Sequence, residues 1–300
     1  MKVDLSAYLR GTIAVDCATR RFNWLRTNPM HRWPEKISGY LRQHRRPRVV
    51  RPLLDDSLTR LMLPEKTLLM TYGNTGYADF VRNLHRSLIP LGLGDRLVAF
   101  AIDPEARSRF EINRIQTVAA YVPHVAPVPE LVTFRTGRWA QIVAQKIALI
   151  HTVLAKGWNV FYVDGDIVFL RDPSTWIRSY ADHCDLWIQD DDKQPDRRRS
   201  PKDTKLCTGM FWARSCPSTL RLFDPARMPR NFKCDQLHIN HLVKRGENVR
   251  LMTLPRELFP NGAQFYEHPE MKASACAIHF NYILAKDKRP RMEEHGLWFG

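Results

Sequence analysis

The chain has 300 residues, 44% of them hydrophobic, enough to bury the core of one large α/β domain or of a domain with a smaller appendage. Its 46 Lys and Arg against 31 Asp and Glu leave a formal net charge of +15, a balance that favours anionic partners: phosphorylated ligands, acidic glycans, nucleic acid or a membrane surface. No window approaches the roughly 18 to 20 apolar residues of a membrane span, and MKVDLSAYLRGTIAVDCATRRF lacks the apolar centre of a secretory signal, so the chain reads as soluble and untargeted.

Residues 1–60 form a basic N-terminal extension, distinct from the main domain expected over 61–300. Arg42, Arg45, Arg46, Arg48 and Arg51 cluster around His44, Pro47 and Pro52, while Phe22, Trp24, Leu25 and Trp33 supply anchors for packing on the core. The cluster reads either as an arm for a polyanion or acceptor, or as a solvated wrap around the main domain. Residues 67–71 (TLLMT), followed by Gly73, Asn74 and Gly76, read as a strand and a turn. Phe80, Val81, Leu84, Leu88 and Leu91 then recur at helical spacing up to Gly92 and Gly94. Residues 96–102 (RLVAFAI) read as a strand closing on Asp103, and this order predicts a parallel pair with a right-handed crossover.

A looser stretch follows through Pro123, Pro127 and Pro129. Residues 139–156 give the clearest helix, with Ile142, Val143, Ile147, Ile150 and Leu154 on one face and Gly157 as terminator. Further on, 185–188, 207–213, 249–254 and 276–280 read as strands and 235–243 as a helix. Residues 189–205, which carry Asp190, Asp191 and Asp192 and then Arg197, Arg198 and Arg199, read as a mobile surface loop. Alternating β and α elements predict an α/β fold with ligands at the carboxyl ends of its strands.

The chemistry concentrates in WNVFYVDGDIVFLRDP, residues 158–173. An apolar run of this kind is a strand buried on both faces, and it ends on Asp164-Gly165-Asp166. Unpaired buried carboxylates cost several kcal/mol each, so these two call for compensation, most simply a divalent metal; the plain alternative is a strand-ending turn with solvated side chains. Gly165 would leave the backbone free to turn and admit a ligand closely. Asp103, Asp164, Asp166 and His279 all fall at strand ends. Six cysteines (Cys17, Cys184, Cys207, Cys216, Cys234, Cys276) form no C-x-x-C pair and read as free thiols of a reducing compartment.

Seven pieces in order, TLLMTYGNTGYADFVRNLHRSL, LVAFAID, QIVAQKIALIHTVLAKGWNVFYVDGDIVFLRDP, CTGMFWARSCPSTLRLF, CDQLHINHLV, LPRELFPNG and HFNY, resemble the nucleotide-diphospho-sugar transferase family of plants, algae and protists, which includes xylosyl- and arabinosyltransferases. The resemblance covers about residues 65–285. It implies a GT-A fold, a Rossmann-like, mostly parallel sheet flanked by helices, with a nucleotide-binding part over about 65–173 and a sugar and acceptor part over about 174–300. It also implies Mn2+ or Mg2+, a UDP-sugar donor carrying a pentose or hexose, and a carbohydrate or glycoprotein hydroxyl as acceptor. Asp166 then resembles the direct metal ligand, Asp164 a carboxylate on the ribose that shares the metal, and His279 a third ligand. Thr71, Asn74 and Asp103 resemble the nucleotide-binding edge, and Lys146 a residue reaching the donor. Asp235 resembles a residue that binds sugar hydroxyls or acts as base, with Gln236 beside the anomeric carbon, as in retaining relatives. Plainer readings exist for three of these: a core histidine for His279, a snorkelling surface lysine for Lys146, and a helix N-cap for Asp235. Lys286 and Lys288 lie where relatives place a lysine on the diphosphate, at irregular spacing.

Members usually carry an N-terminal membrane anchor and work in the Golgi lumen; this sequence shows none, which points to a cytoplasmic or virus-encoded version, or to the Golgi lumen if an anchor precedes it. Two rival readings compete. A haloacid-dehalogenase-type phosphatase would use Asp164 as nucleophile, although that motif normally opens its domain. A basic nucleic-acid-binding protein fits the charge, but no signature for one appears and no specific nucleic acid is expected.

Overall fold

The computed structural model describes residues 49–121, 137–193, 200, 201 and 203–300. The arginine cluster before Val49, the stretch from Pro123 to Pro129 and Arg197, Arg198 and Arg199 lie outside the described residues. The strands in chain order are β1 (Thr67–Gly73), β2 (Leu97–Ala101), β3 (Gln116–Ala119), β4 (Asn159–Val163), β5 (Ile167–Phe169), β6 (Leu186–Asp190), β7 (Leu206–Ala213), β8 (Leu251–Thr253) and β9 (Ala277–His279). The α-helices are α1 (Ala78–Leu88), α2 (Pro104–Ile112), α3 (Gly137–Ala155), α4 (Ser174–Tyr180), α5 (Pro217–Leu222), α6 (Asp235–Lys244), α7 (Gly262–Glu267) and α8 (Ala285–Glu294).

Seven strands pair in the order β3-β2-β1-β4-β7-β6-β8, while β5 and β9 form a separate two-stranded ribbon. Every pair in the large sheet is parallel except those made by β7, which runs against β4 and β6. The fold is thus α/β with a mostly parallel sheet. Its strands are apolar on both faces because both are covered. Leu69, Leu97, Ala99, Phe161, Val163, Met210 and Trp212 pack on one side with α1 and α2. Their neighbours Leu68, Met70, Val98, Phe100, Val160, Tyr162 and Phe211 pack on the other with α3, α5 and α6. Each fully buried aliphatic or aromatic side chain contributes about 1.5–3 kcal/mol over its exposed state. A smaller core of Val168, Phe265, Ile278, Phe280 and Met292 joins the ribbon to α7 and α8, and Phe80 of α1 enters it.

Glycines terminate two helical segments as their positions in the sequence imply: Gly92 has φ 69° and Gly157 has φ 85°, both left-handed. Residues ahead of β1 lie on α3, where Gln145 accepts from Val50 N–H at 2.7 Å and donates to Val50 O at 2.6 Å. Two expectations need correction. The stretch after Asp103 is not loose throughout, because it contains α2 and β3. Residues 189–205 are not simply a surface loop: Gln189 and Asp190 belong to β6, and Gln189 and Asp191 are buried. Their side chains have partners in the interior, so a polar run was mistaken for a solvated one.

Among the described residues no helix is long and apolar enough to cross a membrane.

Candidate active site

Strand order reverses between β1 and β4, since β1 leads outward to β2 and β4 leads the other way to β7. Such a switch point leaves a crevice at the carboxyl ends of the strands. Asp164 follows β4 there, and its N–H donates to Gly209 O on β7 at 2.7 Å. Gly165 is buried, and a Cβ on it would lie 3.2 Å from Val81 Cγ2 and 3.4 Å from Val81 N. The glycine therefore admits the first turns of α1, and the expected approach of a ligand at this residue is replaced by helix packing. Asp166 then directly precedes β5, whose Ile167 stands opposite His279 of β9. Phe280 N–H donates to Asp166 O at 3.0 Å, which continues that pairing. The result is a carboxylate oxygen from Asp164, one from Asp166 and an imidazole nitrogen from His279, all within 4.8 Å of one another.

Asp166 and His279 are buried, whereas the Asp164 side chain is 33% exposed, so the cluster opens on the Asp164 side. Two lysines reach it. Lys288 Nζ pairs with Asp166 Oδ2. Lys146, from the middle of α3, lies 3.3 Å from Asp164 Oδ1 and 2.7 Å from Asp235 Oδ2, and donates to Thr208 O at 3.0 Å. It is 4% exposed and its ammonium sits 4.6 Å from the Tyr162 ring centroid, so it does not snorkel. Burial disfavours the Lys146 charge, but the carboxylates of Asp164 and Asp235 outweigh burial and hold the ammonium above its ordinary range. For Asp166 burial again opposes the charge, and Lys288 and His279 overcome it, holding the carboxyl far below its usual value. Burial likewise works against a charged His279, yet Asp166 beside it raises the imidazole to about 10.

The orientation of His279 follows from backbone groups. Gln189 Nε2 donates to Phe259 O and Pro260 O, each at 3.1 Å. A carbonyl can only accept, so Gln189 must turn its oxygen the other way, and that oxygen lies 2.7 Å from His279 Nδ1. Nδ1 therefore carries a hydrogen, and Nε2, 3.4 Å from Asp166 Oδ1, is the nitrogen directed to the cluster. Two carboxylates and an imidazole fixed in this way suit a divalent cation such as Mn2+.

The structure separates the remaining candidates. Asp235 is the first residue of α6, and its N-cap is Cys234, so the capping role does not hold. Asp235 Oδ2 instead takes Lys146 and the Thr208 hydroxyl, the latter at 2.8 Å. Gln236 Nε2 donates to Asp191 Oδ2 at 2.9 Å. Asp103 caps α2: it accepts from Ala106 N–H at 2.8 Å, from Thr75 N–H at 2.8 Å and from the Thr75 hydroxyl at 2.5 Å. Thr71 is fully buried, its hydroxyl has no hydrogen-bond partner among the described residues, and strand alternation puts it on the face of β1 opposite Tyr72. Asn74 is buried at the end of β1, where its carbonyl accepts from Tyr77 N–H at 3.0 Å. Lys286 is exposed.

Sequence reading missed Tyr162, whose hydroxyl donates to Asp164 Oδ1, and Tyr72, packed near it with ring centroids 6.2 Å apart. It also missed Gln189, Asp191 and Gly209. Burial raises the Tyr72 phenol, with Lys146 opposing and Asp164 and Asp235 adding to the rise, which marks its nearness to the cluster.

The sequence profile described as nucleotide-diphospho-sugar transferase matches residues 92–292, a span that includes the D-x-D, Asp235, Gln236 and His279. Among curated proteins, the UDP-galactose:fucoside alpha-3-galactosyltransferase of Dictyostelium discoideum is 28% identical over 190 residues, which is 52% of this chain and 27% of that protein. The UDP-D-xylose:L-fucose alpha-1,3-D-xylosyltransferase 1 of Arabidopsis thaliana is 25% identical over 211 residues, 60% of this chain and 56% of that protein. The chain thus spans about a quarter and just over half of these relatives. Among solved structures, mouse xyloside xylosyltransferase 1 superposes with a TM-score of 0.46 at 11% identity, over 72% of this chain and 97% of that one.

Proposed function

The chain belongs to the nucleotide-diphospho-sugar transferase family, and on that premise we propose that it transfers a sugar from a UDP-sugar to a hydroxyl of a carbohydrate or glycoprotein. Because the profile runs across the D-x-D, the phosphatase reading of Asp164 is set aside. The relatives make UDP-galactose and UDP-xylose the first donors to try, and a fucose-bearing glycan the first acceptor. The observation that carries the proposal is the meeting of Asp164, Asp166 and His279 within 4.8 Å at the switch point.

Those three residues would hold Mn2+ or Mg2+, which when bound supplies positive charge against a diphosphate leaving group. The protein's own side chains do the rest. Lys288, paired with Asp166, puts an ammonium within reach of the same diphosphate. Lys146 is shared by Asp164 and Asp235 and offsets part of their joint negative charge, which eases the approach of an anionic donor. Asp235 Oδ2 takes Lys146 and Thr208, and Oδ1, met by the weakly donating Cys234 thiol at 3.8 Å, is the oxygen proposed to accept from a sugar hydroxyl. Gln236 gives an amide hydrogen to Asp191 and keeps its oxygen for the positive charge that develops at the anomeric carbon. Retention of configuration is the proposed outcome, on the strength of that Asp235-Gln236 pair.

Asp166→Asn tests the proposal. The variant is expected to fold, to lose Mn2+-dependent UDP binding in calorimetry, and to lose UDP-sugar turnover by at least about 100-fold. Undiminished turnover by the variant in the presence of a chelator would refute the metal site.

A further inference from the structure

We infer that Asp191 is a positioning residue that fixes which end of the Gln236 amide faces the donor; the inference rests on the active-site reading above. An amide group looks nearly the same either way round, and its orientation has to be settled by its partners. Here the partners form a chain that starts from a backbone N–H, which can only donate. Gly262 N–H donates to Asn281 Oδ1 at 2.6 Å. Asn281 must then present its NH2 on the other side, where Nδ2 donates to Asp191 Oδ1 at 3.1 Å. Asp191 is paired with Lys205 through Oδ2 at 2.7 Å and acts as an acceptor on both oxygens. Its Oδ2 is the atom that meets Gln236 at 2.9 Å, so Gln236 must donate, and its oxygen is the end turned away from Asp191. Among the described residues that oxygen accepts no hydrogen bond.

The surrounding structure is arranged to hold this chain. A Cβ at residue 262 would fall 2.1 Å from Asn281 O, so only glycine lets the first N–H approach. Asn281 O also accepts from the Tyr266 hydroxyl at 3.0 Å. The next residue, Tyr282, has φ 66°, a left-handed backbone that a bulky side chain rarely adopts. From that conformation its hydroxyl donates to Asp191 O, while Asp191 N–H donates to Lys205 O at 2.7 Å. Asp191 is 4% exposed although it follows directly on an edge of polar sequence. Strain of this sort persists where neighbouring structure over-determines it, and it gathers at functional sites.

Asp191→Asn would reverse the last link. Asn281 is locked with its NH2 outward, so an Asn at 191 turns its own oxygen to Asn281 and its NH2 to Gln236; the half-exposed Lys205 then leaves this position for solvent, and Gln236 flips. The expected effect is a fall in kcat of about tenfold or more for Mn2+-supported hydrolysis of UDP-galactose or UDP-xylose, with the donor KM within about twofold. In the double variant Asp191→Asn/Gln236→Glu the NH2 at 191 donates to a carboxylate, an oxygen again faces the donor, and kcat should recover above that of the single variant. A purely structural role predicts no such recovery. Wild-type kcat in Asp191→Asn, or a double variant no better than the single one, would overturn the relay.

A readout independent of turnover separates this inference from the reading beneath it. The Gln236 side-chain amide protons, assigned by their loss in Gln236→Glu, should exchange slowly with solvent in the wild type. Exchange at the rate of an exposed glutamine would overturn the relay, whether or not Asp191→Asn folds. Unchanged turnover in Gln236→Ala would instead sink the active-site reading and leave the hydrogen-bond chain standing.

Discussion

Gly209 lies across from Asp164 on β7, and a methyl group there would sit 2.4 Å from His279 Cε1 and 2.7 Å from Asp164 Oδ2. Neither neighbour is a free end: Gln189 fixes the imidazole, and Lys146 and Tyr162 hold the carboxylate. Gly209→Ala is therefore expected to fold at a cost of about 1–3 kcal/mol, and to spread the cluster enough to weaken Mn2+-dependent UDP binding at least about tenfold. Calorimetric titration of UDP with Mn2+ checks this; affinity equal to wild type would show that the cluster tolerates the methyl. A glycine inside an otherwise apolar strand signals that something approaches closely, so CTGMFWA carried a legible clue. Lys146 was legible too, as the one basic residue in the apolar stretch QIVAQKIALI. The orienting roles of Gln189 and Asp191 were not, because they depend on which backbone carbonyls and amides lie nearby.

At the scale of elements, strands with continuous apolar runs were read correctly to within a residue or two, since both faces of the sheet are covered. Helix α2 was missed because only Ala106 and Phe110 are buried along PEARSRFEI, too few to draw a stripe. Its start was nonetheless marked: Asp103 caps it and Pro104 occupies the first turn. Helix α8 was hidden by Pro290 in its interior. The cap makes Asp103 a test case for two roles. Asp103→Ala removes a buried acceptor of three hydrogen bonds and should lower stability by about 1–2 kcal/mol for the cap alone, read as a lower midpoint in urea. If capping is its role, UDP affinity stays within about threefold. A large loss of UDP affinity without loss of stability would instead assign it to the nucleotide.

For the whole molecule, histidines set the response to mild acid. Burial, joined by Arg227 and His241 and opposed by Asp235, holds His238 down at about 4, and its buried Nε2 has no hydrogen-bond partner among the described residues. Burial also lowers His85, His151 and His295. In the unfolded chain these rings titrate near their ordinary value of 6.5. The unfolded state then binds more protons as pH falls below that value, and stability falls with it. The lowered carboxyl of Glu247 acts only below about its ordinary 4.5, and Asp164, whose carboxyl burial raises, works in the opposite direction, so a fall in stability between pH 6.5 and 4.5 is assigned to the lowered histidines. The urea midpoint is expected to drop across that interval, and His238→Phe to flatten part of the drop. A midpoint independent of pH there would contradict the assignment.

The ribbon of β5 and β9 has a consequence for the life of the chain. The seven-stranded sheet is complete once Thr253 has been added, but His279 reaches the D-x-D only through the pairing of Ile167 with its own position on β9. Synthesis proceeds from the N-terminus and domains fold as they emerge. A nascent chain that stops short of β9 holds every strand of the large sheet and still lacks His279 beside Asp164 and Asp166, so the proposed metal site would be incomplete. Under the proposed function, turnover of donor would begin only once β9 has joined the ribbon.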